Sequence, residues 1–210
     1  MTVEQESSDS GLVTRAKAII LSPKLEWPVI EAESASIKSI LVPYAVLLTA
    51  IGPLATLIGG QIFPVRLFGV VYRPDLMAGM LHAVVGWGLG LVAVYLLALI
   101  IDALAPSFDG QQDRVQATKL AVYSMTPAWV AAILGLVPAL AWLGGLLGLY
   151  SLYLFYLGLP QLMKAAPSKT MIYTVVVVIA AIILWMVVGA ILGSMIGMGA
   201  LATAGRFSIL

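Results

Sequence analysis

Seven residues inside apolar stretches of the sequence carry groups that could do chemistry or line a polar path: His82, Tyr123, Ser124, Thr126, Tyr150, Ser151 and Tyr153. An acid–base pair or a metal shell needs several donors within reach. His82 is the only histidine, and no histidine or carboxylate lies three or four residues from it. An ionisable group in lipid indicates a proton or ligand site. The alternative, which we favour, is a neutral imidazole bonded to a neighbouring helix.

The sequence lacks the other signatures of catalysis. It has no cysteine, which excludes disulfides, thiol chemistry and cysteine-based metal sites. The HExxH, GxSxG and phosphate-binding glycine patterns are also absent. An intramembrane hydrolase that pairs Ser124 or Ser151 with His82 is the enzyme hypothesis these residues leave open, and we do not adopt it. We expect a non-enzymatic protein with no catalytic residue, metal site or cofactor.

The composition points to lipid as the solvent. Of 210 residues, 61% are hydrophobic and 10% are charged, and the mean hydropathy is +1.06. Soluble domains are about 45–50% apolar and about 25% charged. A soluble core of this length could not bury so much apolar surface. The net charge is +1 and the basic residues are scattered, so we expect no nucleic-acid partner.

Runs without charge locate the membrane spans. The run 120–163 is about twice the ~20 residues that cross a bilayer as a helix. It must therefore fold back, and Pro138 is the proline near its middle. We expect spans one to five at about 39–63, 76–101, 119–137, 139–159 and 171–194.

The expected fold is all-α, a polytopic membrane protein whose five transmembrane helices form a bundle with an N-terminal amphipathic interfacial helix. A cleaved leader has a basic start followed at once by an apolar run. The N-terminal residues "MTVEQESSDSG" are instead acidic and polar, so we expect the spans to belong to the mature protein. The organisation we expect is a disordered acidic segment 1–10, a cytoplasmic or interfacial region 11–36, a transmembrane domain 37–195 and a short non-cytoplasmic tail 196–210.

Lysine and arginine predict the orientation, because cytoplasmic segments carry an excess of both. With five spans, one side holds Arg15, Lys17, Lys24, Lys38, Arg114, Lys119, Lys164 and Lys169, and the other holds Arg66, Arg73 and Arg206. We therefore expect the N-terminus in the cytoplasm and the C-terminus outside.

The segment before span one has an amphipathic pattern. One helical face carries Leu12, Val13, Ala16, Ile19 and Ile20. A short helix in the headgroup region, with Arg15, Lys17 and Lys24 near anionic lipid, fits this pattern. The alternative is a helix packed on the underside of the bundle, and the sequence leaves both open. Ser22 and Pro23 predict the start of a second helix.

Small residues and prolines shape the predicted spans. Gly189, Gly193 and Gly197 form a small-xxx-small ladder in span five. Such ladders let helices approach closely; we favour packing within the chain over oligomerisation. Prolines within spans predict kinks, at Pro43, Pro53 and Pro127.

The tyrosines of spans three and four suggest contacts between helices. Tyr123 and Tyr153 lie equally far from Pro138, so we predict that they share one height and form interhelical hydrogen bonds with Ser124 or Thr126 nearby. Tyr150 should bond to a neighbouring helix. Tyr156 fits the interfacial aromatic belt, and Pro160 should end span four.

The segments "LAVYSMTPAWVAAILGLVPAL", "LLGLYSLYLFYLGLPQLMK" and "AKAIILSPKLEWPVIEAE" resemble the bacterial branch of the Yip family, the Ypt-interacting membrane proteins, over roughly residues 11–195. The family's Tyr-x-x-x-Pro element corresponds to Tyr123 and Pro127, and Val122 replaces the preceding glycine of eukaryotic members. The Asp-Leu-Tyr-Gly-Pro element of those members has no counterpart, so we expect no Rab-type GTPase partner. The resemblance implies a five-span protein of the bacterial inner (cytoplasmic) membrane.

Two functions from different classes follow. The first is a scaffold or accessory subunit that binds a membrane protein, a second copy of itself or membrane lipid. The alternative is a small transporter or channel with a polar path between spans two, three and four, built from the seven polar residues named at the outset.

Overall fold

The structure is a computed structural model that describes residues 3–63, 65–67, 70–72 and 75–207, with side chains described for 11–63 and 75–195. Five helical segments are long and apolar enough to cross a bilayer: Ile37–Ile62, Leu76–Phe108, Arg114–Leu136, Pro138–Met163 and Pro167–Met195. The predicted all-α polytopic class with five spans is thereby confirmed. A small antiparallel pair that the sequence did not predict, β1 (Val65–Leu67) with β2 (Val70–Tyr72), joins spans one and two.

Span one contains α3 (Ile37–Ile40), a π-helical turn (Leu41–Ala45) and α4 (Val46–Ile62). Its start is capped by Ser36, whose hydroxyl accepts from the Ser39 N–H at 3.1 Å. The π turn contains Pro43, which has no N–H to give to the α-helical ladder. Pro53 lies inside α4.

Span two is α5 (Leu76–Leu104) followed by a 3₁₀ turn (Ala105–Phe108). The Asp75 carboxylate caps its start by accepting from the Ala78 N–H at 2.9 Å. The helix continues past the predicted end at residue 101 and past Asp102, and it ends at Leu104.

Spans three and four fold back on each other as predicted, and the chain reverses at Val137 and Pro138. Span three comprises α6 (Arg114–Ser124), α7 (Thr126–Ala131) and a 3₁₀ segment (Ala132–Leu136), and span four a 3₁₀ turn (Pro138–Leu140), α8 (Ala141–Gly148) and α9 (Tyr150–Met163). Pro160 does not end span four as predicted, because α9 accommodates it. The helix ends instead at Lys164, which adopts the left-handed conformation with φ 53°.

Span five is α10 (Pro167–Phe207), a helix of 41 residues. It starts a few residues before the predicted span and continues through most of the segment 196–210 that was predicted to be a tail. The charge-free run continues to Gly205 and provides no break where the tail was expected.

Two helices precede the spans, α1 (Val3–Leu21) and α2 (Pro23–Ala32), and we call them the N-terminal hairpin. α1 begins at Val3, inside the segment 1–10 that was predicted to be disordered from its composition, so the helix of residues 11–21 is longer than expected. α2 begins at Pro23 as predicted, although the Ser22 side chain does not cap it.

The N-terminal hairpin packs into the bundle. Ile19 and Ile30 are 0% exposed, and Trp27 is 2% exposed. Trp27 lies against Gly158 of α9, where an added Cβ would be only 2.7 Å from the indole Cζ2. Packing on the bundle, one of the two arrangements that the sequence left open, is therefore observed for the face of Ile19, Trp27 and Ile30.

Candidate functional site

Polar and charged side chains converge where the N-terminal hairpin meets spans one, three and four. We call this end of the bundle the hairpin end. It also carries the connections between spans two and three and between spans four and five. Contacts link α2 to α9, α3 to α6, and α1 to both α7 and the π turn. The hairpin therefore lies among the spans rather than apart from them.

Lys119 of α6 is the centre of this cluster. Its side chain is among the fully buried ones, and its ammonium donates to the Ile30 carbonyl at 2.7 Å and the Glu33 carbonyl at 2.6 Å. A third carbonyl, that of Glu31, lies at 3.4 Å. The last carbonyls of a helix have no partner within it and carry the negative end of its dipole. Lys119 therefore caps the C-terminus of α2 across the bundle.

Arg15 joins the two helices of the hairpin to each other and to span three. Its guanidinium forms ion pairs with Glu26 and Glu33 and lies over the Tyr123 ring, 5.9 Å from the centroid. Burial lowers the pKa of Arg15, but the hydrogen bond and charge of Glu33, with the charge of Glu26, raise it above its ordinary value. Arg15 is thus permanently charged, and its guanidinium is paired within the protein, as one of the two arrangements left open by the sequence requires.

Glu31 connects α2 to the end of α9. Its carboxylate accepts hydrogen bonds from Lys164 and Gln161. These interactions, the Lys164 hydrogen bond first, hold the pKa of the Glu31 carboxyl below its ordinary value despite the opposing effect of burial. Gln116 of α6 donates to the Glu31 carbonyl at 3.0 Å, so this residue contacts two spans.

Below these charges lies a layer of hydroxyl groups and rings. The Tyr44 and Thr126 hydroxyls are 2.9 Å apart and both side chains are buried. The Tyr44 and Tyr123 rings meet edge to face with centroids 4.9 Å apart. Tyr44 was not among the predicted site residues. Its position directly after Pro43, in a span with few other polar groups, was the available signal.

The break in span three is stabilised by span four. Because Pro127 has no N–H and α7 starts afresh at Thr126, the first N–H groups of α7 lack helical partners. The Ser151 hydroxyl accepts from the Ala128 N–H at 3.2 Å. Ser151 is buried and so acts as a cap supplied by the neighbouring helix.

Tyr150 reaches from span four to the hairpin. Its hydroxyl donates to the Ile20 carbonyl at 2.9 Å, one of the last carbonyls of α1. The prediction that Tyr150 bonds to a neighbouring helix is confirmed, and its partner is α1 rather than another span. The C-termini of both hairpin helices are therefore capped by spans, α1 by Tyr150 and α2 by Lys119.

A family model described as the Yip1 domain matches residues 17–189. The chain belongs to the Yip1 family. No curated protein and no solved structure matches the chain. The matched segment of this Yip1 domain starts inside α1 and contains α2, Lys119 and all the spans up to Gly189 of α10. The match therefore includes α2 and the end of α1, residues 17–21, whereas residues 3–16 of α1 precede it.

Within the Yip1 domain, Tyr123 and Tyr153 do not form the predicted pair. Tyr123 is buried against Tyr44, whereas Tyr153 is 44% exposed and its ring contacts Tyr150, with centroids 5.5 Å apart. Their equal distance from the turn bears only on their heights along the two spans. It could not tell which face of span four would meet span three.

The predicted polar residues do not form one site. His82 lies near the start of α5, and by helical rise from the contact between Asp102 and Arg114 it is roughly 15 Å along the bundle from the level of Ser124. The Nδ1 of His82 and the buried Ser124 hydroxyl lack hydrogen-bond partners in the described part of the chain. No three histidine, aspartate or glutamate side chains among the described residues could hold a metal ion together.

Asp102, at the end of α5, has the compensating cation that its position requires. A carboxylate at a helix C-terminus opposes the helix dipole, and Arg114 Nε lies 3.5 Å from its Oδ2. The neighbouring Ile101 carbonyl accepts a hydrogen bond from the Tyr173 hydroxyl of α10. These contacts connect spans two, three and five at the hairpin end.

The glycine ladder of α10 faces away from the rest of the chain. A Cβ added at Gly189 or Gly193 would meet no atom within 4 Å, and both residues are exposed. The packing within the chain that we favoured is therefore not observed at these two residues. Gly197 lies beyond the residues whose side-chain surroundings are described.

Proposed function

We propose that this Yip1-family protein is a non-enzymatic membrane scaffold or accessory subunit that binds another membrane protein. The observation that supports this proposal is that the polar groups within the spans form hydrogen bonds inside the protein. Tyr44, Thr126, Tyr150, Ser151 and Lys119 bond to other parts of the same chain. Groups committed to holding helices together support a stable platform.

The same hydrogen bonds argue against the alternative, a transporter or channel. A transport path needs polar groups that line one continuous route. Here His82 lies far along the bundle from the tyrosines and serines, and the polar groups closest to each other are turned towards partners within the protein. We therefore do not retain the path between spans two, three and four.

The surface we assign to the partner is the outer face of α10. One face of this helix packs on span two, with Tyr173, Val177 and Val188 buried, and the rest is exposed, since only 11% of its apolar window is buried. Gly189 and Gly193 on that face let another helix approach closely. Val187 and Ile191 are also exposed, but on the opposite side of the helix from the two glycines, so they serve as control positions.

Photo-crosslinking tests this function, and the absence of native cysteines makes the labelling specific. A photoreactive group on Gly193→Cys in native membranes should give a discrete protein adduct, whereas the same group on Val187→Cys should react with lipid alone. Lipid adducts alone at both positions would overturn the proposal. An adduct of twice the chain mass would identify the partner as a second copy.

We also infer a bacterial inner membrane and a cytoplasmic hairpin end. The resemblance of the sequence to the bacterial branch of the family supports the first inference, and the excess of lysine and arginine on the side of the hairpin end supports the second. A reporter active only outside the cytoplasm, fused after Leu210, should be active. An inactive reporter, with an active one at the loop between spans two and three, would reverse the orientation.

A further inference from the structure

α2 runs alongside α9 in the same direction. Trp27 packs against Gly158, and further along both helices Glu31 binds Gln161 and Lys164. From Trp27 to Glu31 the chain advances four residues along α2, and their partners advance three to six residues along α9, from Gly158 to Gln161 and Lys164. Since α9 is part of a span, α2 must lie along the span direction and not flat on the surface of the bundle.

The tip of the hairpin therefore lies below the membrane surface. Ser22 precedes Glu31 by nine residues, so it lies about 13 Å deeper than the ion pair with Lys164. The hydrogen bond from Tyr150 to the Ile20 carbonyl gives independent support. Tyr150 is eleven residues before Gln161, about 16 Å along α9. The hydrocarbon of one leaflet is about 15 Å thick, with headgroups outside it.

The hairpin has two apolar faces, and the bundle covers one of them. Pro23, Trp27 and Ile30 are buried against the spans. On the opposite face Leu21 is 77% exposed and Leu25 is 75% exposed, and Val29 is also exposed. At the depth just derived, this second face is level with Tyr153 and Tyr156 of α9, which are also exposed.

We propose that the N-terminal hairpin is a re-entrant element whose face of Leu21, Leu25 and Val29 contacts phospholipid acyl chains in the leaflet at the hairpin end. The exposed Lys17 and Lys24 lie on the same two helices. Their long apolar stems let the ammonium groups reach the phosphates from below. The occupant of this face is thus phospholipid with anionic headgroups, whatever protein binds elsewhere.

Fluorescence quenching of single cysteines tests the placement. Leu25→Cys carries a bimane label in vesicles of phosphatidylcholine and phosphatidylglycerol, and Ser34→Cys, in the exposed segment after α2, is the matched control. A nitroxide on acyl-chain carbon 5 should quench the label at position 25 at least threefold more than the label at position 34. Aqueous iodide should show the reverse preference.

Two results would overturn the proposal. Equal iodide quenching at both positions would place the face of Leu25 in water. Protection of position 25 from both quenchers would mean that protein covers it. If Leu25→Cys does not yield folded protein, Val29→Cys on the same face provides the same comparison, because its side chain is likewise exposed.

Discussion

The ammonium of Lys119 and the carbonyl of Ile30 are 2.7 Å apart, although 89 residues separate them in the sequence. One residue lies in span three and the other in the last turn of α2. A charged donor buried in this way is stabilised only by the acceptors around it. The contact therefore makes the position of the N-terminal hairpin and the burial of Lys119 depend on each other.

Replacing Lys119 with methionine should loosen the hairpin. The carbonyls of α2 lose their cap, and a buried polar group left without a partner costs about 1–3 kcal/mol. Lys38→Met, at an exposed lysine in the first turn of span one, is the control. We expect a lower midpoint of thermal unfolding and faster maleimide labelling of a cysteine at the buried position Ala16. Equal behaviour of the two variants would contradict the capping role.

Gly158 should not tolerate a side chain. A Cβ there would lie 2.7 Å from Trp27 and 2.8 Å from Leu120 Cδ1, so the Trp27 indole and the Leu120 side chain must shift. Overpacking of this kind costs about 1–3 kcal/mol. Gly145→Ala, in the same span but with open space around it, should be neutral or slightly stabilising because alanine favours helix. Unfolding in detergent compares the two; similar midpoints would show that the indole is not held against α9.

The spans could be predicted because lipid imposes a rule on local sequence: about 20 residues must be apolar to cross. The site could not, because its contacts join distant segments. Lys119 looked like a loop charge that sets orientation, and it caps α2. The sequence left open whether Arg15 lies near lipid, and it pairs with Glu26 of α2 and with Glu33, directly after α2. Periodicity shows that a helix has an apolar face but does not identify what covers that face.

Removing one hydroxyl from Tyr150 should weaken the link between span four and α1. Tyr150→Phe keeps the ring and loses the bond to the Ile20 carbonyl, worth about 0.6 kcal/mol on average inside membrane proteins. Tyr153→Phe is the matched control, because that side chain is exposed and contributes a ring contact only. We expect a small drop in the unfolding midpoint for Tyr150→Phe alone. An equal drop in both variants would mean that losing a tyrosine hydroxyl is enough, and that the bond to the Ile20 carbonyl is not the cause.

Docking of the hairpin should also depend on pH through Glu31. Its carboxyl pKa is lowered in the folded protein, chiefly by the hydrogen bond from Lys164. The stabilisation is therefore complete above the ordinary glutamate pKa of about 4.3 and is lost as the pH falls through the lowered value. Maleimide labelling of a cysteine at Ala16 follows the docking. Divided by the labelling rate of a cysteine at the exposed Ser34, which corrects for the loss of thiolate as the pH falls, this rate should stay constant from about pH 7 to pH 5 in the parent protein and rise only below the ordinary glutamate pKa of about 4.3.

Glu31→Gln separates this carboxylate from the other acidic groups, Glu26 and Glu33 among them. The variant keeps the size of the side chain but cannot pair with the Lys164 ammonium. Its docking should be weaker than that of the parent protein at pH 7, and the difference should shrink as the pH falls and the parent loses the same charge. A difference that persists unchanged to pH 3 would show that the Lys164 pair does not hold the hairpin in place.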